Sequence, residues 1–563
     1  MRMGNWSSGG RSGRAEPPPL ARTRYGDLRG KRLVIPSGQQ MNVFLGVPYC
    51  KTPRRFERPE PLESWAPEVL VCRNYRNRPI QKTFVWDAFD IGVPVGEDCL
   101  FLNIIAPAHP KEPLPVIFFI HGGGYIMDCA AKYNYKKIAR TLVRHDVIVV
   151  VCEYRLGLLG FLCLDDKHAK GNLGLWDCVE ALRFVKENIE AFGGDPERIT
   201  CVGQSAGAAA VDLLSISPVT RDLFQQTFLM AGFAESSWAI SDKRLIVAFC
   251  REKALELGFE RLSNAEEWTD EENEACVEYL RRLPAPLFAM SMIGDHSVIE
   301  ELSLKITPVL DGELLPRPLK QLRTECKPKR TMCGVTKYEG LLFLALARKR
   351  ADCKLMDFCE GRVAEILESM TETTPDGKNP LTIAAFRELY GINESLRKSK
   401  KATQLAVVNL LGDVINNAAL ELHVRRNVEA GGTCFRYSFD YCNPTLTAAL
   451  NLAMPFVGPT HGCELAYVFD INPFVTPTIK KKADKQVLDL MTAMLTNFVK
   501  YGDPNGDPAA ASSDFDFRWA PATAANPARF LSVRPQPEMR DEAENTRAVQ
   551  LLPLLDAVSS KIS

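Results

Sequence analysis

An α/β architecture, with a mostly parallel central sheet flanked by helices, is predicted by three features of this 563-residue chain. Short apolar runs alternate with segments whose apolar residues recur at helical spacing. One such run, Ile199-Thr200-Cys201-Val202, leads into Gly203-Gln204-Ser205-Ala206-Gly207 and then a small-residue segment, Ala208 to Leu214, that reads as a helix. Another, Leu114 to Ile120, ends at His121-Gly122-Gly123-Gly124-Tyr125.

Taken in order, residues 1–22 are rich in Gly, Ser, Arg and Pro and predict a disordered tail, with one folded domain over 23–555. The tail has no apolar core of the kind a secretory signal needs. It does contain Met3-Gly4-Asn5-Trp6-Ser7-Ser8, which fits the M-G-x-x-x-[ST] pattern if translation starts at Met3 and not at Met1. Gly4 is therefore a candidate for myristoylation, with peripheral membrane association as its consequence. Leu114–Ile120 and Val147–Glu153 read as buried strands. The spacing of Val179, Leu182, Phe184, Val185 and Ile189 predicts a helix over 175–191, ending before Gly193-Gly194-Asp195-Pro196. Residues from about 215 to 450 are less regular and predict helical insertions over the sheet edge. Within them the acidic run Glu266 to Glu274 reads as a solvated face. Leu465-Ala466-Tyr467-Val468-Phe469 reads as a strand following a turn.

Composition narrows the function. Hydrophobic and charged fractions of 46% and 25% are those of an ordinary globular protein. Formal net charge is zero and no basic stripe interleaves with aromatics, so nucleic acid is not expected as a partner. No run of about 18 apolar residues predicts a membrane span. The seventeen cysteines lack zinc-site spacing, and Cys152, Cys163 and Cys201 lie in core-like segments. Free thiols and no secretory signal point to a reducing, intracellular location. Neither a metal nor an organic cofactor is expected.

A G-x-S-x-G at a strand-to-helix turn is the nucleophile elbow of an α/β hydrolase, which makes Ser205 the candidate nucleophile. The turn is tight enough to need glycine on both sides. The HGGG-type loop supplies backbone N–H groups for an oxyanion, here from Gly123 and Gly124, with a third from Ala206. Serine acyl transfer also needs a base and an acid to orient it. Of seven histidines, His109, His145 and His168 sit in polar, loop-like surroundings, His121 belongs to the glycine loop, and His296 and His423 have polar or charged neighbours. His461, in Gly458-Pro459-Thr460-His461-Gly462, suits the hydrolase order of serine, acid, histidine. Glu339 follows a β-leaning segment between Ser205 and His461, but many other carboxylates lie in that interval. Residue chemistry alone does not choose among them.

Further segments carry a family resemblance. They are Phe44-Leu45-Gly46-Val47-Pro48-Tyr49 with Arg55-Phe56; Glu97-Asp98-Cys99-Leu100-Phe101-Leu102-Asn103; Tyr154-Arg155-Leu156-Gly157; Gly171-Asn172-Leu173-Gly174-Leu175-Trp176-Asp177; Phe192-Gly193-Gly194-Asp195-Pro196; Pro308-Val309-Leu310-Asp311-Gly312; and Gly502-Asp503-Pro504-Asn505. In this order and spacing the chain resembles the type-B carboxylesterase/cholinesterase family over roughly 22–555, most of all intracellular invertebrate, nematode-type carboxylesterases. The resemblance implies Glu339 as the acid, His461 as the base, Glu464 as a supporting carboxylate and Trp238 as a wall of the acyl pocket. There are departures. Gln204 stands where relatives usually have Glu, and Ala231 where they have Ser. Of the family disulfides, Cys99 remains but Pro79 occupies its partner's place, while Phe259 and Tyr279 occupy the second pair. The resemblance thus implies a serine hydrolase of small-molecule esters. The same acyl-enzyme would serve an acyltransferase if a small alcohol or amine replaced water. A non-catalytic binding module of the same fold is the remote alternative, and the intact constellation argues against it.

Overall fold

The computed structural model describes residues 17–82, 92–263, 265–291, 304–347, 349–371, 381–472, 474, 480–510, 515–541 and 546–555. Gly4 and His296 lie outside them. The tail was expected to run to residue 22, yet β1 (Leu20–Thr23) is already paired with β2 (Gly26–Arg29). β3 (Lys31–Val34) and β4 (Gln40–Pro48) follow, and β5 (Val69–Val71) joins β2 to complete a three-stranded side sheet. Next come β6 (Phe101–Pro107), β7 (Leu114–Ile120), β8 (Ile148–Cys152) and a small hairpin of β9 (Cys163–Asp166) and β10 (Ala169–Lys170). β11 (Gly194–Gln204), β12 (Gln226–Met230), β13 (Arg330–Thr336), β14 (Cys434–Phe439), β15 (Phe530–Val533) and β16 (Glu538–Arg540) complete the set.

Eleven of these form one sheet in the order β16-β15-β14-β13-β12-β11-β7-β8-β6-β4-β3. From β8 to β15 every pairing is parallel, and the antiparallel pairs lie toward the edges. Parallel strands need both faces covered, which explains why β7 and β8 are apolar along their whole length and buried at every residue. One face packs the helices Leu173–Asn188 and Ala206–Ile216, the other the helix Lys482–Tyr501. This is the expected α/β-hydrolase layering.

The long connection from β13 to β14 is helical, as expected of an insertion. It includes the helical run Lys400–Glu429, which is long and apolar enough to cross a membrane, but 83% of its most apolar window is buried inside the fold. Two expectations are corrected. Leu465–Val468 is a short helix, not a strand. β14 already has β13 and β15 on its two sides, so no sheet edge is open to it there. Its side chains pack instead toward the helix Lys482–Tyr501, where Tyr467 donates to Asp484 (2.8 Å). The acidic run is not wholly solvated either. Thr269 and Glu272 form a capping box on the helix Asp270–Arg282, and Glu272 is buried against Arg261. All seventeen cysteines are free thiols, in agreement with the loss of both family disulfides.

Candidate active site

Five neighbouring strands each deliver one part of the site at their C-terminal ends. β7 runs into the His121-Gly124 loop and β11 into Ser205. β12 leads to Ala231-Gly232, β13 to Glu339, and the loop beyond β14 to His461.

Ser205 has φ 55 and ψ −127, a strained setting for a residue with a side chain, and the helix Ala206–Ile216 begins immediately after it. The crowding around it explains the glycines. A Cβ on Gly203 would fall 2.3 Å from the Gly207 carbonyl oxygen, and one on Gly207 would fall 2.1 Å from that of Ile120. Beneath the turn, a Cβ on Gly232 would lie 2.1 Å from the Ser205 carbonyl. The glycine loop passes directly over the elbow: a Cβ on Gly122 would meet Gln204 O at 2.6 Å and Ser205 Cβ at 3.0 Å. Gly123 and Gly124 have φ of 93 and 60, which glycine adopts without strain. Ala206 opens its helix, so its N–H belongs to the first turn, where no intrahelical acceptor is in reach. Behind the loop His121 is buried, stacked on Tyr154 at 4.6 Å, and its Nδ1 lies 3.1 Å from Gly122 O. Burial holds this imidazole below its usual range, hence neutral, and it serves to shape the loop.

His461 Nε2 lies 2.8 Å from Ser205 Oγ, and His461 Nδ1 lies 2.6 Å from Glu339 Oε2. His461 and Glu339 are buried, while Ser205 is partly exposed. The other Glu339 oxygen accepts from both the backbone N–H and the hydroxyl of Thr336, each at 2.7 Å. Burial pushes this carboxyl up, but His461 and Thr336 together bring it below the usual carboxylate range. Leu342 N–H donates to Thr460 Oγ1 (2.8 Å) and Tyr338 N–H to Pro459 O (3.1 Å), tying the acid's loop to the base's loop.

Gln204 places Nε2 3.3 Å from His461 Nε2, so a neutral amide sits beside the imidazole. Glu464 is buried behind the site and neither oxygen has a partner among the described residues. Burial, followed by the nearby Glu339 charge, pushes its carboxyl up to about 8. Trp238 is buried, with its indole N–H on the Ile415 carbonyl at 3.0 Å. Two contributors were missed in the sequence. Thr336 is foreshadowed only by its place three residues before Glu339. Asn416 donates Nδ2 to Glu339 Oε2 at 2.7 Å, and no sequence motif signals it.

A hydroxyl, an imidazole and a carboxylate in hydrogen-bonded series beside a glycine loop can activate an oxygen nucleophile. On this sheet topology they define an α/β hydrolase, an enzyme of the serine ester hydrolase type. The model of the carboxylesterase family matches residues 17–551, and the chain belongs to that family. Among its relatives, Esterase cest-33 of Caenorhabditis elegans is 32% identical, over 92% of this chain and 91% of that protein. Gut esterase 1 of the same organism is 29% identical, over 92% and 89%. Bile salt-activated lipase of Bos taurus is 28% identical, over 85% and 78%.

Proposed function

We propose that this protein hydrolyses small-molecule carboxylic esters through an acyl-enzyme on Ser205. The observation that carries the reading is the unbroken series Ser205 Oγ, His461, Glu339, with links of 2.8 and 2.6 Å. Ser205 Oγ attacks the ester carbonyl carbon while its proton passes to His461 Nε2. Glu339 keeps the other ring nitrogen protonated and stabilises the imidazolium. The carbonyl oxygen, now anionic, is held by the N–H groups of Gly123, Gly124 and Ala206. The C–O bond to the alcohol breaks as His461 returns the proton to the departing oxygen. Water then enters, gives a proton to His461 as its oxygen attacks the acyl carbon, and the bond to Ser205 Oγ breaks as His461 returns that proton to Oγ, releasing the carboxylic acid.

Two features support this order of events. The elbow fixes Ser205 in a strained backbone setting that exposes its oxygen, and Gly122 to Gly124 lie close above it without side chains to block a carbonyl. Intact-mass labelling with a fluorophosphonate tests the reading. One adduct per chain, absent from Ser205→Ala, is the expected result. Folded protein that takes no adduct would leave a binding module as the better account.

A further inference from the structure

Between Lys400 and Glu429 the helical run is interrupted by a π turn at Asp413–Asn417. A π turn accommodates one residue more than an α-helical path, so the side chains it carries leave the register of the flanking helix. This one is pinned from three directions. Asp413 accepts from Tyr390 Oη (3.0 Å), from Arg547 Nε (2.9 Å) and from Asn417 Nδ2 (2.7 Å). Trp238 donates to the Ile415 carbonyl. The fixed turn carries Asn416 into the site, where its Nδ2 lies 2.7 Å from Glu339 Oε2 and 3.4 Å from His461 Nδ1.

The chemistry of the facing group settles which way the amide points. Turned over, Asn416 would set its oxygen against a carboxylate oxygen, acceptor on acceptor. With the nitrogen toward Glu339, Oδ1 is left buried and without a partner among the described residues. Asn417, next in the turn, leaves its own Oδ1 unpartnered among the described residues while donating to Asp413 of the same turn, so what sets Asn416 apart is where its donor goes. Its amide is spent on the Glu339 carboxylate.

We propose that Asn416 is a positioning residue for the Glu339–His461 pair, a role that rests on the acyl-enzyme reading above. Thr336 takes one carboxylate oxygen, while Asn416 shares the other with the imidazole. Held at both oxygens, the carboxylate plane cannot swing away as charge develops on the ring. The other titratable groups near Glu339 are Glu464, the Cys463 thiol and the Tyr437 hydroxyl, all buried.

The test is steady-state hydrolysis of a p-nitrophenyl ester across pH by Asn416→Leu, Asn416→Asp and Ser205→Ala. For Asn416→Leu, kcat is expected to fall about 10- to 100-fold with KM within about twofold, the range for losing a hydrogen bond to a charged group. The acid limb of its kcat/KM profile moves to higher pH, because a carboxylate short of one donor draws the imidazolium proton more strongly. In Asn416→Asp two carboxyls meet and share a proton. That variant retains activity where the new carboxyl is protonated and loses it as pH rises, giving a descending basic limb that Asn416→Leu lacks. A kcat for Asn416→Leu within about twofold of the parent, with an unmoved acid limb, overturns the proposal. Should Asn416→Leu not fold, an Asn416→Asp profile parallel to the parent's overturns it equally. Ser205→Ala separates the two readings. If it stays active, the acyl-enzyme reading fails and this role fails with it. If it is inactive while Asn416→Leu is unimpaired, only the role of Asn416 fails.

Discussion

Two buried clusters of charge lie along the helix Ala206–Ile216, one at its start and one further down, and they are built on opposite rules. In the lower cluster Asp212 and Glu235 face Arg323 and Arg426, two anions against two cations. Arg323 reaches both carboxylates, with Nη2 2.5 Å from Asp212 Oδ2 and 2.8 Å from Glu235 Oε2. Ala234 N–H adds a bond to Asp212 at 2.8 Å. Burial pushes both carboxyls up, but Arg323 overrides it and holds both below the usual range, Asp212 far below. Asp212, Glu235 and His423 bring ligand atoms within 4.8 Å of one another, a spacing suited to a metal ion, yet a guanidinium already bridges the two carboxylates. The upper cluster, around His461, has no buried lysine or arginine among the described residues to match Glu339 and Glu464. Glu464, His121 Nε2 and Asn416 Oδ1 are left without partners among the described residues. The lower cluster is not fully satisfied either, since both His423 ring nitrogens lack a hydrogen-bond partner among the described residues; what separates the two is that guanidinium groups fix the carboxylates below, whereas the buried Glu464 carboxyl above has none. Carboxylates fixed by cations hold their shape, and a buried carboxyl without one is where a proton can be moved.

Breaking each cluster separately should give separable effects. The largest is expected from Ser205→Ala or His461→Ala, which should lower ester turnover by at least about a thousandfold. For Ser205→Ala thermal melting should show Tm nearly unchanged. Next is Arg323→Met, which takes the shared cation from two buried carboxylates, leaving Glu235 on Arg426 and Asp212 on the Ala234 N–H, and should cost about 3–5 kcal/mol in urea unfolding. Turnover per fluorophosphonate-titrated site should stay within about threefold of the parent. If turnover collapsed while stability held, the two clusters would have exchanged roles.

Glu464→Gln sharpens the contrast through pH. Folding raises the Glu464 carboxyl from an ordinary 4.5 to about 8, so between those values the folded state keeps a proton that the unfolded state loses. Stability from this group is therefore greatest below about pH 4.5 and declines as pH rises to about 8. Urea midpoints of Glu464→Gln should decline less across that window than the parent's, and equal slopes would remove Glu464 from the account. The smallest effect is expected from Gln204→Glu. A carboxylate beside the imidazole should shift the acid limb of kcat/KM upward by about one pH unit, and leave the limiting rate within about threefold.

What could be read in the sequence follows from how local each signal is. The elbow and the glycine loop are contiguous, and each sits at the end of an apolar strand, so composition and order reveal them. Glu339 and His461 are separated from Ser205 by long insertions, and residue chemistry alone left the acid open until the family resemblance supplied it. Leu465 to Phe469 alternates large and aromatic residues as a strand would, and only the occupied sides of β14 make it a helix. The buried Glu272 was signalled by Thr269 three residues before it, a cap hidden within an acidic run. Asn416 had no signal, because a π turn breaks the 3.6-residue period by which helix faces are read. The same turn accounts for Trp238, whose indole closes on the Ile415 carbonyl.

β7, β11, β12 and β13 each lead directly into one part of the site, whereas His461 stands on the longer loop after β14 and is tied to the loop of Glu339 by Leu342 N–H on Thr460 Oγ1 and Tyr338 N–H on Pro459 O. Warming should not loosen Ser205 ahead of the glycine loop without parting hydrogen-bonded neighbours in the middle of the sheet, or His461 ahead of Glu339 without breaking the bonds between their loops. Heat inactivation and cooperative loss of the central sheet should therefore occur as one event, with no inactive folded species between them.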